Sequence, residues 1–467
     1  MAGIVSYGAY IPKYRLGKET VGWGTPQEKA VANFDEDSVT MAVAAGADCL
    51  AGLDRQKVDG LFFASTSSPF AEKEASVTVA TALDLRRDIL TGDYTSSLRA
   101  GAIALRSAID AVASGRAKQI LVAMADSRMG APKGDFDRAS GDGAAAFLVA
   151  DTGAAVTIEG SFAIADQIMD VWRLEGEPFV RTSEDRFVID EGFTRNMEEA
   201  VKGLLSKLKL TAKDITKAVL YAPDARRHSE VARRLGLQPP QLQDPLFNGV
   251  GNTGAASAPM ALVGALEDAK VGDKILLAVY GDGAEPFVLK VEGKFNHAGD
   301  RRAIKKHLAS KLVLPNYDLY LRWRQLVPQE AARRPPPPVP SVMALWRERD
   351  QNIRLYGMKC KSCGRIQYPP QRVCTYCHAK DEREMVRLSD KKGEVFTYSM
   401  DYLAGTLDIP LVITIVNFQG GGRMLCMMTD REVDKMKVGL PVEMSFRKLH
   451  TVAGIPNYYW KSTPVRV

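Results

Sequence analysis

Six cysteines stand in the 467-residue chain, and four of them form two pairs, Cys360-x2-Cys363 and Cys374-x2-Cys377, ten residues apart. A CxxC pair can set two thiolates on one tight turn, and two such turns complete a tetrahedral four-sulfur site for zinc. Gly364 and the Pro369-Pro370 pair supply turn chemistry between the ligands. Four protein ligands leave no position open for water, so the expected Zn2+ is structural rather than catalytic. Redox-active pairs or plain core cysteines are the competing readings. His378, directly after Cys377, could substitute as a ligand, although a surface place suits it better. The other two cysteines are Cys49, in an amphipathic helical stretch, and Cys426, in a strand-like run. Neither stands at the exposed start of a helix, where the dipole favours a thiolate. A cysteine acyl-enzyme is therefore not expected.

Residues 1–292 alternate between short β-branched apolar runs (IVSYGAYI, VDGLFFAS, QILVAMAD, AAAFLVAD) and helical stretches such as DSVTMAVAAGADCLAGL, with Asp37 or Ser38 as N-cap. That alternation predicts an α/β protein. The order helix, turn, buried strand, strand in AGAIALRSAIDAVASGRAKQILVAMAD and GDGAAAFLVAD returns in APMALVGALEDAKVGDKILLAVYGD and AEPFVLKVEG. The echo predicts a duplicated fold with halves 1–152 and 153–292. Residues 293–350 are basic, aromatic and proline-rich, with a stiff run at Pro335–Pro338, and read as a connector carrying docking helices. A zinc ribbon at 351–385 follows, and then several short strands at 386–467, which predict a small β-barrel of OB-fold type.

Net charge is +6 with Lys and Arg scattered, too weak a signal for nucleic acid but suited to a phosphorylated, anionic ligand. No run reaches the roughly 18 apolar residues that span a bilayer. The first residues lack a basic leader, and paired cysteines fit a reducing compartment, so a cytoplasmic protein is expected.

The segments GIVSYGAYIPKYRL, FDEDSVTMAVAA, SSPFAEKEAS, LRAGAIAL, SGDGAAAFLVAD, DVWR, GNTGAASAPMAL and VYGDGAEPF occur in this order across residues 1–292. Together they resemble the thiolase superfamily and, within it, hydroxymethylglutaryl-CoA synthase of the archaeal type. Residues 293–467, with GGGRMLCMMTD and YYWKSTP, resemble the zinc-ribbon/OB-fold proteins that accompany thiolase-type enzymes. The resemblance implies a five-layered fold, an active site between the halves, a coenzyme A thioester as substrate, a homodimer, and a possible second thiolase-type partner. It does not supply the family's cysteine, histidine and glutamate. Matching the helix at Gly101 puts Leu98 at the nucleophile, after Ser96 and Ser97. Matching Tyr221-Ala222-Pro223 puts Tyr221 at the histidine, and matching Ser65-Thr66-Ser67-Ser68-Pro69 puts Thr66 at the glutamate. Asn252, in GNTG, matches the residue that hydrogen-bonds the thioester oxygen.

Thr95, Ser96 and Ser97 read as caps of the following helix, with Ser97 as an alternative nucleophile. Tyr221 can move protons only if its surroundings bring its pKa of ~10 down, and otherwise fills the cleft as a strand-end aromatic. His228 reads as a surface or capping residue, and Asp142 and Asp282 as turn residues of the repeated GDG. Tyr221, Asn252 and Ser97 are thus the catalytic candidates, and Thr66, Ser68, Leu98 and Asn252 the substrate-binding ones. Three functions compete. The first is an enzyme making or breaking a carbon–carbon bond of an acyl-CoA without a cysteine acyl-enzyme, by aldol or Claisen chemistry. The second is a non-catalytic acyl-CoA-binding partner of a true thiolase, and the third a synthase with a shifted serine nucleophile.

Overall fold

The computed structural model describes residues 2–22, 27–295, 300–328, 330 and 337–466. Pro335 and Pro336 of the proline run lie outside them. The chain forms two compact units, Met1–Ala32 with Asp37–Tyr320, and Asn33–Glu36 with Leu321–Val467.

The first unit is built on a ten-stranded sheet. Its strands are β1 (Gly3–Tyr10), β2 (Gly60–Ala64), β3 (Leu90–Tyr94), β4 (Gln119–Ser127), β5 (Asp142–Ala150), β6 (Val156–Ser161), β7 (Ile164–Ala165), β8 (Lys217–Leu220), β9 (Lys274–Tyr280) and β10 (Gly283–Val291). Outward from an antiparallel seam between β1 and β6, one side runs β1-β5-β4-β2-β3 and the other β6-β10-β9-β8, with β7 on β10. A parallel bridge from Ala218 to Leu242 takes the place beyond β8 that β3 holds beyond β2. Both sides therefore follow one wiring, which bears out the duplication. Every residue of β5 is buried, as a continuous apolar run requires of a strand covered on both faces.

Helix α1 (Ser38–Cys49) begins with the expected N-cap: Asp37 accepts the Thr40 N–H, and the Thr40 hydroxyl answers the Asp37 N–H. The repeated helices are α2 (Ala100–Ala113) and, in the second half, α4 (Ser257–Asp268), with α3 (Ala225–Arg234) between them. The expected connector begins inside this unit. Asp48 of α1 accepts the N–H groups of Arg302 and Ala303, and Asp137 accepts the Lys29 ammonium at 2.8 Å and the hydroxyls of Tyr317 and Tyr320. Tyr317 and Tyr320 belong to helix α5 (Tyr317–Trp323).

The second unit holds a three-stranded ribbon, β11 (Tyr356–Cys360), β12 (Ile366–Gln367) and β13 (Arg383–Arg387). Its other part is a closed barrel of β14 (Gly393–Asp401), β15 (Leu411–Phe418), β16 (Arg423–Met428), β17 (Pro441–Val452) and β18 (Ile455–Pro464). In β15 the buried residues are Val412, Thr414, Val416 and Phe418, the period of two of a strand with one face on a core. The Phe34-Asp35-Glu36 segment folds into this unit. Arg447 binds Asp35 at 3.1 Å, Glu36 at 2.9 Å and Asp430 at 2.5 Å, and Lys461 binds Asp35 at 2.8 Å, all with buried side chains. No helix among the described residues is long and apolar enough to cross a membrane.

Candidate active site and metal centre

The candidate residues of the first unit sit just past the carboxyl ends of its parallel strands. Ser65–Ser68 follow β2, Thr95–Leu98 follow β3, Asp126 and Arg128 lie at the end of β4, Tyr221 follows β8, and Tyr280 and Asp282 end β9. That edge of an α/β sheet is where ligands bind, because loops there can vary without disturbing the core. Two adjoining cavities open at it, of about 540 and 550 Å3. Tyr221 and Asn252 line the first, Thr66, Ser68 and Ser97 the second, and Leu98, Arg128 and Asp170 both. The fold thus brings all six sequence candidates to one cleft.

The phenol of Tyr221 is buried, with its ring near Tyr280 (centroids 6.4 Å apart, planes 23° apart). Asn252 donates through Nδ2 to the Tyr221 hydroxyl at 3.2 Å and to the Ala222 carbonyl at 3.3 Å, while its Oδ1 accepts the Gly254 N–H at 3.0 Å. Both amide hydrogens are therefore taken, which removes Asn252 as a ready donor to a thioester oxygen. The phenol oxygen already accepts from Asn252, and its own proton remains to give. Burial raises the Tyr221 phenol above its ordinary value, and the nearby Arg128 charge offsets this only in part. The lowering that proton abstraction by Tyr221 needs is absent.

Ser97 stands in the turn that leads into α2, with its carbonyl accepting the Ala100 N–H at 3.0 Å. The Ser97 Oγ accepts the Arg99 N–H at 3.3 Å just before the helix starts, and its hydroxyl donates to Asp282 Oδ2 at 2.7 Å. Asp282 holds a left-handed turn, φ +50°, as the GDG reading expected of it. His228, expected at the surface, is buried in the first turn of α3 with its ring edge-on to Phe247, and burial lowers its imidazole. The solvent-facing side of that helix is taken by the arginines around it.

Sequence reasoning missed Asp126. It is fully buried, and its carboxylate accepts from the Ser65, Thr66 and Ser67 hydroxyls and from the Thr66 and Ala255 N–H groups, at 2.7 to 3.0 Å. Five donors saturate both oxygens, so Asp126 orders the Ser65–Ser67 loop rather than moving protons. Gly254, at φ +60°, is required beside it, since a Cβ there would lie 2.3 Å from Asp126 Oδ2. The legible signal was an Asp closing a buried apolar strand at the ligand edge. Asp170 was also missed as a site residue; it accepts the Tyr280 hydroxyl and the Val171 N–H, each at 2.6 Å.

None of the cavity-lining residues is a cysteine. Cys49 is buried against Ser6, and burial pushes its thiol up to about 12. Cys426 lies in the barrel strand β16, and the other four converge. Their sulfurs all lie within 4.8 Å of one another, with Cys360 to Cys377 at 3.6 Å and Cys363 to Cys374 at 3.7 Å. A tetrahedron of Zn–S bonds of about 2.3 Å has edges of about 3.8 Å, so the thiolates fit zinc. Each CxxC turn repeats one pattern: Cys360 N–H to Arg365 O and Gly364 N–H to Cys360 O, then Cys374 N–H to Ala379 O and His378 N–H to Cys374 O. Gly364 (φ +71°) and His378 (φ +62°) hold the same left-handed corner. His378 is therefore a backbone corner, outside the ligand group. Backbone N–H groups of the two turns hold the Cys360 and Cys374 thiols below their ordinary values, whereas at Cys377 the Ala379 N–H is outweighed by burial and the neighbouring cysteines, which push that thiol up to about 12.

Three family models match parts of the chain: the ChsH2 rubredoxin-like zinc ribbon over residues 347–382, the ChsH2 C-terminal OB-fold over 385–447, and the C-terminal part of 3-oxoacyl-[acyl-carrier-protein] synthase III over 205–287. Among solved structures, a hydroxymethylglutaryl-CoA synthase complexed with CoA aligns with a TM-score of 0.61 at 18% identity, covering 69% of this chain and 89% of that one. The 3-oxoacyl-[acyl-carrier-protein] synthase III of Aquifex aeolicus aligns at 0.55 and 22% identity, covering 62% of this chain and all of the other. These likenesses show the thiolase-like fold. In sequence, the hydroxymethylglutaryl-CoA synthase of Methanopyrus kandleri is 30% identical over 69% of this chain and 97% of its own length, and that of Pyrococcus horikoshii 33% identical over 69% and 96%. With the duplicated sheet, the cleft at its carboxyl edge and near-complete coverage of these relatives, the chain belongs to the hydroxymethylglutaryl-CoA synthase family, carrying a zinc ribbon and an OB-fold beyond it.

Proposed function

We propose that the chain is an acyl-CoA enzyme that makes or breaks a carbon–carbon bond without a cysteine acyl-enzyme, with Tyr221 as a neutral donor to the thioester oxygen. The observation that carries this reading is the Tyr221–Asn252 pair, a phenol kept protonated by burial and held by an amide, in a cleft without cysteine. Relatives named hydroxymethylglutaryl-CoA synthase, and a structural neighbour holding CoA, support the substrate class. Aldol and Claisen steps both pass through a thioester enolate, which a donor aimed at its oxygen stabilises where charge develops. Leu98 at the nucleophile position forms no acyl bond, and an aldol-type step needs none. Asn252 acts as the positioning residue, fixing the phenol by one N–H and itself by the other. Carboxylates line both cavities, Asp135, Asp170, Asp185 and Asp224 the first and Asp170, Glu175 and Asp282 the second, and the proton acceptor is one of these.

The hydrogen bond from Ser97 to Asp282 supports a second reading, in which an activated serine is acylated. The purified protein, incubated with a panel of acyl-CoA and 3-hydroxyacyl-CoA esters, separates the readings when product and protein mass are followed together. Turnover without a mass change supports the proposal, and a trapped acyl-serine replaces it with the second reading. Binding without turnover, even beside a thiolase, makes the chain a non-catalytic partner.

A further inference from the structure

One stretch of the cleft wall departs from ordinary helical winding. Before the helix Arg195–Leu208 the chain passes through the short turn Asp185–Phe187 and then a seven-residue π-helix, Val188–Thr194. The Arg195 N–H reaches back five residues, to the Asp190 carbonyl. Such winding is rare and collects at functional sites. In an α-helix a threonine hydroxyl can bond the carbonyl three or four residues back, but Thr194 Oγ1 is buried and finds no partner among the described residues. The segment is held from outside itself: the Asn196 amide donates to the Gly192 carbonyl and to Asp166 Oδ2, each at 2.8 Å. Gly192 lets it lie against Tyr280, since a Cβ there would stand 2.9 Å from the Tyr280 hydroxyl oxygen.

The wider turn decides which side chains face the cleft. In an α-helix, residues five apart stand about 140° from each other around the axis, whereas i→i+5 bonding brings them round to nearly one face. Val188, Ile189 and Phe193 accordingly all line the first cavity. Phe193 packs edge-on to Tyr280 with centroids 5.3 Å apart, and its ring lies 6.5 Å from that of Tyr221. The π-helix thus lays an apolar strip beside the Tyr221 phenol, in a cavity that elsewhere carries Asp135, Asp170, Asp185 and Asp224. Its other side is polar and exposed, with Asp190 pairing with Arg186 at 3.8 Å and Glu191 with Arg195 at 3.3 Å.

We propose that this π-helix is the specificity-determining wall of the cleft: its extra residue holds Val188, Ile189 and Phe193 on one face, against the carbon chain of the acyl group, and so sets the length of chain that the cleft accepts. The inference rests on the acyl-CoA reading above and deepens it by naming the residues that read the acyl chain. A winding that leaves a buried hydroxyl unpaired persists only where the surroundings over-determine it, and the Asn196 amide and the two tyrosine rings do so here. The place of the strip decides what it meets. The pantetheine arm carries two amides that need polar partners, whereas a strip of hydrocarbon beside the reacting end suits methylenes.

Calorimetric titration of the full chain with acetyl-, butyryl-, hexanoyl- and octanoyl-CoA, with free CoA as reference, gives the native length profile. Ile189→Ala opens the wall and should move the profile toward longer chains, by roughly 4-fold in Kd for each methylene newly housed, with the affinity for free CoA unchanged. Deleting Glu191 takes out the extra residue and lets α-helical winding run through, so the native profile should be lost. Glu191→Ala, which keeps the residue count, should leave the profile native. A flat native profile overturns the proposal, as does an unmoved profile in Ile189→Ala or in the folded deletion variant. A profile moved as far by Glu191→Ala as by the deletion also overturns it, by assigning the effect to the lost side chain, and so does an equal loss for CoA and all esters in Ile189→Ala, by assigning the wall to the pantetheine arm. Where the deletion variant does not fold, Val188→Ala takes its place and must move the profile as Ile189→Ala does. If neither CoA nor any ester binds, the proposed function falls by itself. The wall is then judged with the same acyl groups as thioesters of N-acetylcysteamine: a length profile that Ile189→Ala moves supports it, and an unmoved profile or no binding overturns it.

Discussion

Replacing Tyr221 by Phe removes one oxygen from the cleft and little else, which makes it the sharpest probe of the proposed chemistry. The ring contacts with Tyr280 and Phe193, at centroid distances of 6.4 and 6.5 Å, remain available to phenylalanine. The lost group is the acceptor of the Asn252 amide, 3.2 Å away, so one buried N–H goes unpaired. Such a loss costs about 1–3 kcal/mol. Asn252 keeps the Ala222 carbonyl and the Gly254 N–H, which places the cost at the lower end, about 1 kcal/mol. In a unit of this size that lowers the melting temperature by roughly 1–2 °C. The kinetic cost is of another order, because removing one preorganised donor to a developing oxyanion slows turnover about 10²–10³-fold. Single-turnover kinetics on the ester found active in the substrate panel, with calorimetric Kd and a thermal melt on the same preparations, reads all three. The expected result is a slow enzyme with near-native Kd and a small melting shift. A native rate in Tyr221→Phe refutes the donor role, and a rate loss matched by an equal loss of affinity shows that the phenol binds ground state and transition state alike. Because burial raises the phenol, the native pH–rate profile should also show no basic limb from Tyr221 below about pH 10.

One zinc per chain should co-purify, with X-ray absorption giving four sulfur neighbours at about 2.3 Å. A chain without metal under reducing conditions would refute the site. His378→Gly should keep that zinc and raise stability by up to about 1 kcal/mol, since glycine relieves a left-handed corner; loss of metal would instead make His378 a ligand. Burial pushes the Asp35 carboxyl up, but Lys461 and Arg447 outweigh it and hold it below its ordinary value. Its stabilisation of the second unit is therefore present above an unfolded value of about 4 and is lost as pH falls through the lower folded one, which acid unfolding should show and Asp35→Asn should weaken. Arg447→Met, leaving three buried carboxylates short of a cation, should cost roughly 3–5 kcal/mol by denaturant titration. A homodimer through the thiolase-like regions is expected in light scattering, and a monomer at micromolar concentration would refute it.

What could be read in advance followed physical periodicity. Alternating strands and helices, the echo between the segments around α2 and α4, and the Asp37 cap are local patterns, and the structure shows each of them. The zinc site was legible because two CxxC turns have few other uses at that spacing. The membership of short segments was not. Nothing in FDE says that Asp35 and Glu36 leave the first unit for the second, since their partners Arg447 and Lys461 lie more than four hundred residues on. Nor does the composition of residues 300–320 announce that Asp48 and Asp137 hold them to the first unit.

The site itself was legible as a set of positions and not as a set of roles. Position comes from the strand ends, which sequence marks well; role comes from which hydrogens are already spent, which only packing decides. Asn252 was read as the donor and Tyr221 as the group that moves protons, and each reading is chemically sound for an isolated side chain. In the fold, Ala222 and Tyr221 consume both amide hydrogens, while burial keeps the phenol protonated and leaves its hydrogen to give. Ser97 was read as a cap, and its Oγ does accept the Arg99 N–H before the helix, but only the fold shows that Asp282, 185 residues away, takes its proton. Arg128 drew no notice because a lone arginine after a strand has no motif, and only the fold shows that it lines both cavities. The loss of cysteine, histidine and glutamate therefore does not argue that the cleft is idle: the end of β8 still presents at Tyr221 a proton to give, Asn252 of the GNTG loop fixes that phenol, and a preorganised donor is what an enolate-forming reaction requires.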